Sequence, residues 1–123
     1  MAPAARDQAI LDEAHFRHMT GDDGALQAEI LALFRAQSEL WSRLLIPDAP
    51  VQTWAEAAHT LKGSARGLGL WRLADACEEA EEAARSGAKE GPPITAALRR
   101  VRMELENALN ALPAVEPRDA NAA

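Results

Sequence analysis

Residues 94–112 read ITAALRRVRMELENALNAL, and their spacing decides the fold class. Ile94, Leu98, Val101, Leu105, Ala108 and Leu112 recur in steps of four and three, the period of a helix with one apolar side. Charged residues fill the positions between them, and Pro113 ends the run.

Moving back along the chain, Ser86-Gly87-Ala88-Lys89-Glu90-Gly91-Pro92-Pro93 is a loop. Before it, Leu73, Cys77, Ala80 and Ala84 mark a fourth helix over about 71–86, its outer side rich in glutamate. A third helix starts near Val51, after the break Ile46-Pro47-Asp48-Ala49-Pro50. It runs to about Arg66 or Leu68, where Gly67 and Gly69 weaken it. A long second helix is expected over about 23–46, with Leu26, Ile30, Leu33, Gln37, Leu40 and Leu44 as its buried stripe and Phe34 and Trp41 widening it. The turn Thr20-Gly21-Asp22-Asp23-Gly24 supplies caps for it. Asp7 is expected to cap a short first helix running to about Met19, with Ile10, Leu11 and Ala14 on its buried side. The whole reads as all-α: an antiparallel four-helix bundle, up-down-up-down, with an additional short N-terminal helix over one domain at 8–112. Residues 1–7 and 113–123 are expected to be flexible termini.

Composition agrees and narrows the function. Apolar residues make up 48% of the 123, aromatics only 4%, and tyrosine is absent, which favours close-packed helices over a β-sandwich. The net charge of −6 argues against nucleic-acid binding, which needs clustered Lys and Arg. No apolar run approaches a membrane span, and the N-terminus does not resemble a secretion signal. The lone cysteine, Cys77, excludes an intrachain disulfide and reads as a packing residue. A cytoplasmic monomer is the expectation. The start at Met1 and the ragged tail favour a stand-alone protein over an excised domain.

The third helix carries the chemistry. In helical register, Trp54, Ala57, Leu61, Ala65 and Leu68 lie about 120° or more from His59, so the histidine faces away from the core. Ala55, Gly63 and Gly67 lie within about 80° of it, leaving its surroundings bare. A glycine inside a helix is destabilising, and on the exposed side its use is clearance for a large partner. Lys62 and Arg66 fall on the same side, able to donate charge-assisted hydrogen bonds to a phosphoryl group. Glu56 is a candidate to orient one ring nitrogen. An exposed histidine with small neighbours and nearby cations is a phosphoryl acceptor by its chemistry. The sequence has no Gly-rich nucleotide loop or kinase signature, so the group must come from elsewhere.

The run His59-Thr60-Leu61-Lys62-Gly63-Ser64-Ala65-Arg66-Gly67-Leu68-Gly69-Leu70, continued by Leu73 and Cys77-Glu78, resembles the signature of histidine phosphotransfer (HPt) domains. The match is sharp over about twenty residues in the third and fourth helices and looser across the rest of 8–112. The resemblance implies a bacterial two-component phosphorelay. In it, His59 attacks a receiver domain's aspartyl phosphate through Nε2, Lys62 stabilises the transferring group, and Gly63 makes room for the receiver's acidic pocket. It further implies that Ser64 fills a small position, that Gly69 turns the chain into the next helix, and that no cofactor is held here, Mg²⁺ belonging to the receiver. The partners implied are receiver domains of response regulators and hybrid histidine kinases, and the chain is a carrier without kinase activity of its own. Arg66 occupies a variable position of the pattern, so its role in phosphoryl stabilisation rests on helical geometry alone.

Two other readings compete. His15 and His18, three residues apart, are the start of a metal site, but matching carboxylates are not recognisable, and no metal is expected. A non-catalytic interaction module with an unused His59 has no physical need for a histidine opposite the core.

Overall fold

The computed structural model describes residues 9–87 and 91–113. The termini expected to be flexible, 1–7 and all but Pro113 of 113–123, lie outside the described residues, as does Asp7. Among the described residues five helices follow in order: α1 (Glu13–Thr20), α2 (Gly24–Leu44), α3 (Val51–Leu68), α4 (Trp71–Arg85) and α5 (Pro92–Ala111). The last four form the up-down-up-down bundle, and α1 packs against α3.

Local chemistry sets the helix ends. Asp12 caps α1, its carboxylate accepting from the His15 amide at 3.1 Å, and Gly21 closes it in the left-handed region at φ 64°. Asp23 caps α2 in the same way through the Leu26 amide. Pro92 and Pro93 begin α5 where their missing amide protons cost nothing. Between α3 and α4 the chain reverses over Gly69 and Leu70. Gly69 sits at φ 89°, and its amide donates to the carbonyls of Ala65 and Arg66.

The core lies along the α3–α4–α5 seam. Trp54, Leu61, Leu73, Ile94, Leu98 and Leu105 are buried there. Ala57, Ala58 and Ala65 of α3 and Ala74, Ala76 and Ala80 of α4 are also buried, and such small side chains let neighbouring helices approach closely. All six residues of the stripe read in 94–112 are buried, as is Cys77. Arg72 and Arg100 of α4 and α5 pair across their shared edge with Glu104 and Glu79.

Two sequence expectations fail. The buried stripe of α2 is Leu31, Phe34, Ser38 and Trp41, continued by Leu45, not the stripe one residue earlier. Leu26, Leu33 and Leu40 are exposed, at 38%, 62% and 50%. Both stripes have the four-three spacing and lie about 100° apart. The aromatic pair decides between them, because Phe34 and Trp41 together carry the larger apolar area. They pack with ring centres 5.8 Å apart. Ser38 is no obstacle to burial, since its hydroxyl donates to the Arg35 carbonyl at 2.7 Å.

The first helix also starts later than expected, at Glu13 and not near Asp7. Asp12 is the better cap because its second carboxylate oxygen accepts from Trp71 Nε1 at 2.9 Å, and its amide donates to the Gly69 carbonyl. Phe16 and Thr20 form the buried side, while Ala14 is exposed and Ile10 and Leu11 are half-buried.

Candidate phosphoryl-acceptor site

His59 projects from the middle of α3, and 70% of its side chain is exposed. Its Nδ1 lies 2.8 Å from Oε2 of Glu81 on α4. Glu81 is buried, with 9% of its surface accessible. Burial pushes its carboxyl up, but hydrogen bonds from Lys62 and His59 outweigh that and hold it below the usual carboxylate range. As a carboxylate it only accepts, so Nδ1 carries the proton and donates. The lone pair is then on Nε2, the nitrogen across the ring from the α4 anchor.

Lys62 is not a free cation. Its ammonium lies 2.7 Å from Glu78 Oε1 and 2.5 Å from Glu81 Oε1, and only 12% of its side chain is exposed. Hydrogen bonds to Glu78 and then Glu81 raise its pKa and keep it charged. Arg85 reaches the other oxygen of Glu78 at 3.1 Å. Two hydrogen bonds, from Lys62 and Arg85, depress the Glu78 carboxyl in turn. Two carboxylates and two cations therefore balance beside the ring. Arg66, by contrast, is exposed, and its guanidinium has no hydrogen-bond or ion-pair partner among the described residues.

The small residues behave as two kinds. A Cβ built on Gly63 or Gly67 meets no atom within 4 Å, so neither is required by packing inside the chain. A Cβ on Gly69 comes within 2.9 Å of the Asp12 carbonyl oxygen, and its positive φ adds strain. Ala55 is half-buried and lines a shallow depression beside His59 with Gln52, Thr60 and Glu81. Ser64 and Gly67 border a groove of about 320 Å³ between α1, α2 and α3, whose walls include Met19, Leu33 and Gln37.

Glu56 does not orient the ring. It accepts from Gln52 at 3.3 Å, one turn away on its own helix, and the orienting carboxylate comes from α4. Glu81 escaped the sequence reading, although a signal was there. Leu73, Cys77 and Glu81 step by four, placing a carboxylate on a buried ridge, where an acid needs a partner. His15 is engaged too: its Nε2 donates to the Arg66 carbonyl at 3.1 Å, and its ring meets Trp71 edge-on. Among the described residues no three His, Cys, Asp or Glu side chains gather as a metal site, and no helix is long and apolar enough to cross a membrane. Burial drives the Cys77 thiol up to about 12, which makes it a poor nucleophile.

Comparison with known proteins agrees with this geometry. The Hpt domain family matches residues 22–114. In three dimensions the chain is similar to the histidine phosphotransferase ShpA from Caulobacter crescentus, at 35% sequence identity and a TM-score of 0.64. The alignment covers 83% of this chain and 86% of that one. No curated protein matches the sequence. Because the matched span takes in every bundle helix from α2 to α5, the chain belongs to the Hpt domain family, whose members carry phosphoryl groups in phosphorelays.

Proposed function

We propose that this chain relays a phosphoryl group between receiver-domain aspartates through phosphohistidine at His59. The observation that carries the reading is the ring's attachment: Nδ1 is tied to a buried carboxylate on α4, while the rest of the imidazole is exposed. Nε2 is then the nucleophile, and an incoming aspartyl phosphate is its natural substrate. The receiver supplies Mg²⁺; the chain supplies a positioned nucleophile and a docking face, so positioning dominates its share of catalysis.

Bare helix surface at Gly63 and Gly67 gives a partner access to the ring. The exposed side chains of Met19, Leu33 and Leu40 extend that face across α1 and α2 as an apolar patch. On this reading a receiver covers the patch as it brings its aspartate to His59. Arg66 lies on the same face and meets the receiver's acidic pocket or the phosphoryl oxygens. Gly69 and Ser64 shape the end of α3. The chain acts as a cytoplasmic monomer, without nucleic acid or a bound cofactor, and its domain spans 8–112.

The test is transfer from a phosphorylated receiver to the intact chain and to His59→Gln. Label on the first and none on the second is the expected result. Equal labelling of both would place the phosphoryl group elsewhere and leave the face around His59 as a plain interaction surface.

A further inference from the structure

We propose that two copies of this chain pair through the outer ridge of α2, antiparallel about a two-fold axis at Ala36, and that the pair withholds the face a receiver needs. The pairing stands on α2 alone. Its competition with a receiver rests on the reading of His59 as the phosphoryl acceptor.

The ridge is what the packing of α2 leaves outside. With Phe34 and Trp41 turned inward, Leu26, Leu33 and Leu40 stand exposed, each seven residues from the next. Glu29, Ala36 and Arg43 repeat at the same interval beside them, and all three are exposed. From Leu26 to Arg43 the steps alternate three and four, the spacing of a helix that packs lengthwise along another. Glu29 and Arg43 have no hydrogen-bond or ion-pair partner among the described residues. A helix side turned only to water has no need of a leucine at every second turn, and a contiguous apolar ridge marks a contact.

Turned end for end, the ridge is complementary to itself, which is what a two-fold contact requires. About an axis at Ala36, Glu29 comes opposite Arg43 of the second copy, and Arg43 opposite its Glu29, each seven residues from the axis. Leu33 and Leu40 exchange places to within one residue's rise, about 1.5 Å. Ala36 lies on the axis and is small enough for the helices to approach closely. A parallel pair would instead set Glu29 against Glu29 and Arg43 against Arg43, and like charges across a contact repel. A helix of 21 residues is about 30 Å long, and one such contact is smaller than the roughly 1,200 Å² of a stable interface. The pair is therefore reversible, with a dissociation constant on the order of 10–1000 μM. Leu33 and Leu40 also belong to the apolar face proposed for the receiver, so the two contacts exclude each other and the monomer is the form that transfers.

Sedimentation velocity of the full chain, with no receiver present, tests the pairing. The parent should pass from monomer to dimer between about 10 μM and 1 mM. Glu29→Arg and Arg43→Glu should each weaken the dimer about fivefold or more, because by symmetry each sets like charges together at both ends of the contact. The double variant Glu29→Arg/Arg43→Glu restores opposite charges in exchanged order and should return to within about twofold of the parent. Leu33→Ser gives an independent loss of the dimer should a charge variant fold poorly. A parent that stays monomeric at about 1 mM would overturn the proposal. A dimer that neither single reversal weakens, or that the double variant fails to restore, would place the contact elsewhere and overturn it too.

Transfer tests the competition. At a fixed, low concentration of phosphorylated receiver, the initial rate should rise linearly with chain concentration for the two single variants. It should bend below linearity over the same range for the parent and the double variant, as the dimer fills. Curves of one shape for all four would show that pairing and docking use separate faces and would overturn the withholding role. Failure of even the parent chain to accept label would refute the acceptor reading instead, and sedimentation would still decide the pairing.

Discussion

Replacing Gly63 with glutamine should make the protein more stable and worse at its work. Gly63 has helical backbone, and a Cβ there has no atom within 4 Å to displace. Relieving a mid-helix glycine gains about 0.5–1 kcal/mol for Ala, and Gln is nearly as good a helix former. In a chain of this size that raises the melting temperature by about 2–5 °C. The new side chain stands one turn from His59, with Cβ atoms about 5–6 Å apart. A receiver must then stand off from the ring, and a displacement of about 1 Å at a reacting centre costs on the order of a hundredfold in rate. Thermal melts followed by circular dichroism give the first quantity. Transfer from a phosphorylated receiver gives the second, with Gly63→Ala expected between parent and glutamine variant. A drop in stability would mean that the glycine serves internal packing. Full transfer by the glutamine variant would mean that no partner comes close at this position.

Urea unfolding distinguishes the two stripes of α2: Leu31→Ala should cost about 2–5 kcal/mol, and Leu33→Ala less than about 0.5 kcal/mol, with equal losses contradicting the observed register. Gly69→Ala should destabilise by about 2–4 kcal/mol, from left-handed backbone strain and the approach to the Asp12 carbonyl, and a change below about 0.5 kcal/mol would contradict the tight turn between α3 and α4. Asp12 has its carboxyl held below the ordinary 3.8 by hydrogen bonds from Trp71 and the His15 amide. Its contribution is therefore complete above pH 3.8 and fades as the pH falls through the lower folded value. Asp12→Asn should lower stability near neutral pH and narrow its gap to the parent in acid. A gap that stays constant down to acid unfolding would rule out the ionised cap.

The helices and the exposure of His59 were legible in the sequence for a shared reason. α3, α4 and α5 each have one dominant apolar stripe, and His59 lies opposite the clearest of them, so its exposure follows from register. α2 misled because it has two apolar stripes, and only packing against the rest of the bundle selects the one with Phe34 and Trp41. The leucines left outside are then available to a partner. Asp12 was overlooked as a cap because its advantage depends on Trp71, 59 residues away. Glu81 was missed for a similar reason. Its bond to His59 spans 22 residues and two helices, and although its step of four from Cys77 puts it on the buried ridge, nothing local to α4 names the partner it meets there. Lys62 and Arg66 look alike from sequence. Only the fold shows that one is enclosed by carboxylates and the other is not.

The most direct test of the central claim is to map the label after incubation with a phosphorylated receiver. Phosphorus-31 and nitrogen-15 NMR of the labelled chain should show one phosphoryl group on Nε2 of His59, with Nδ1 still protonated. Phosphorylation at Nδ1, or on any other residue, would contradict the account.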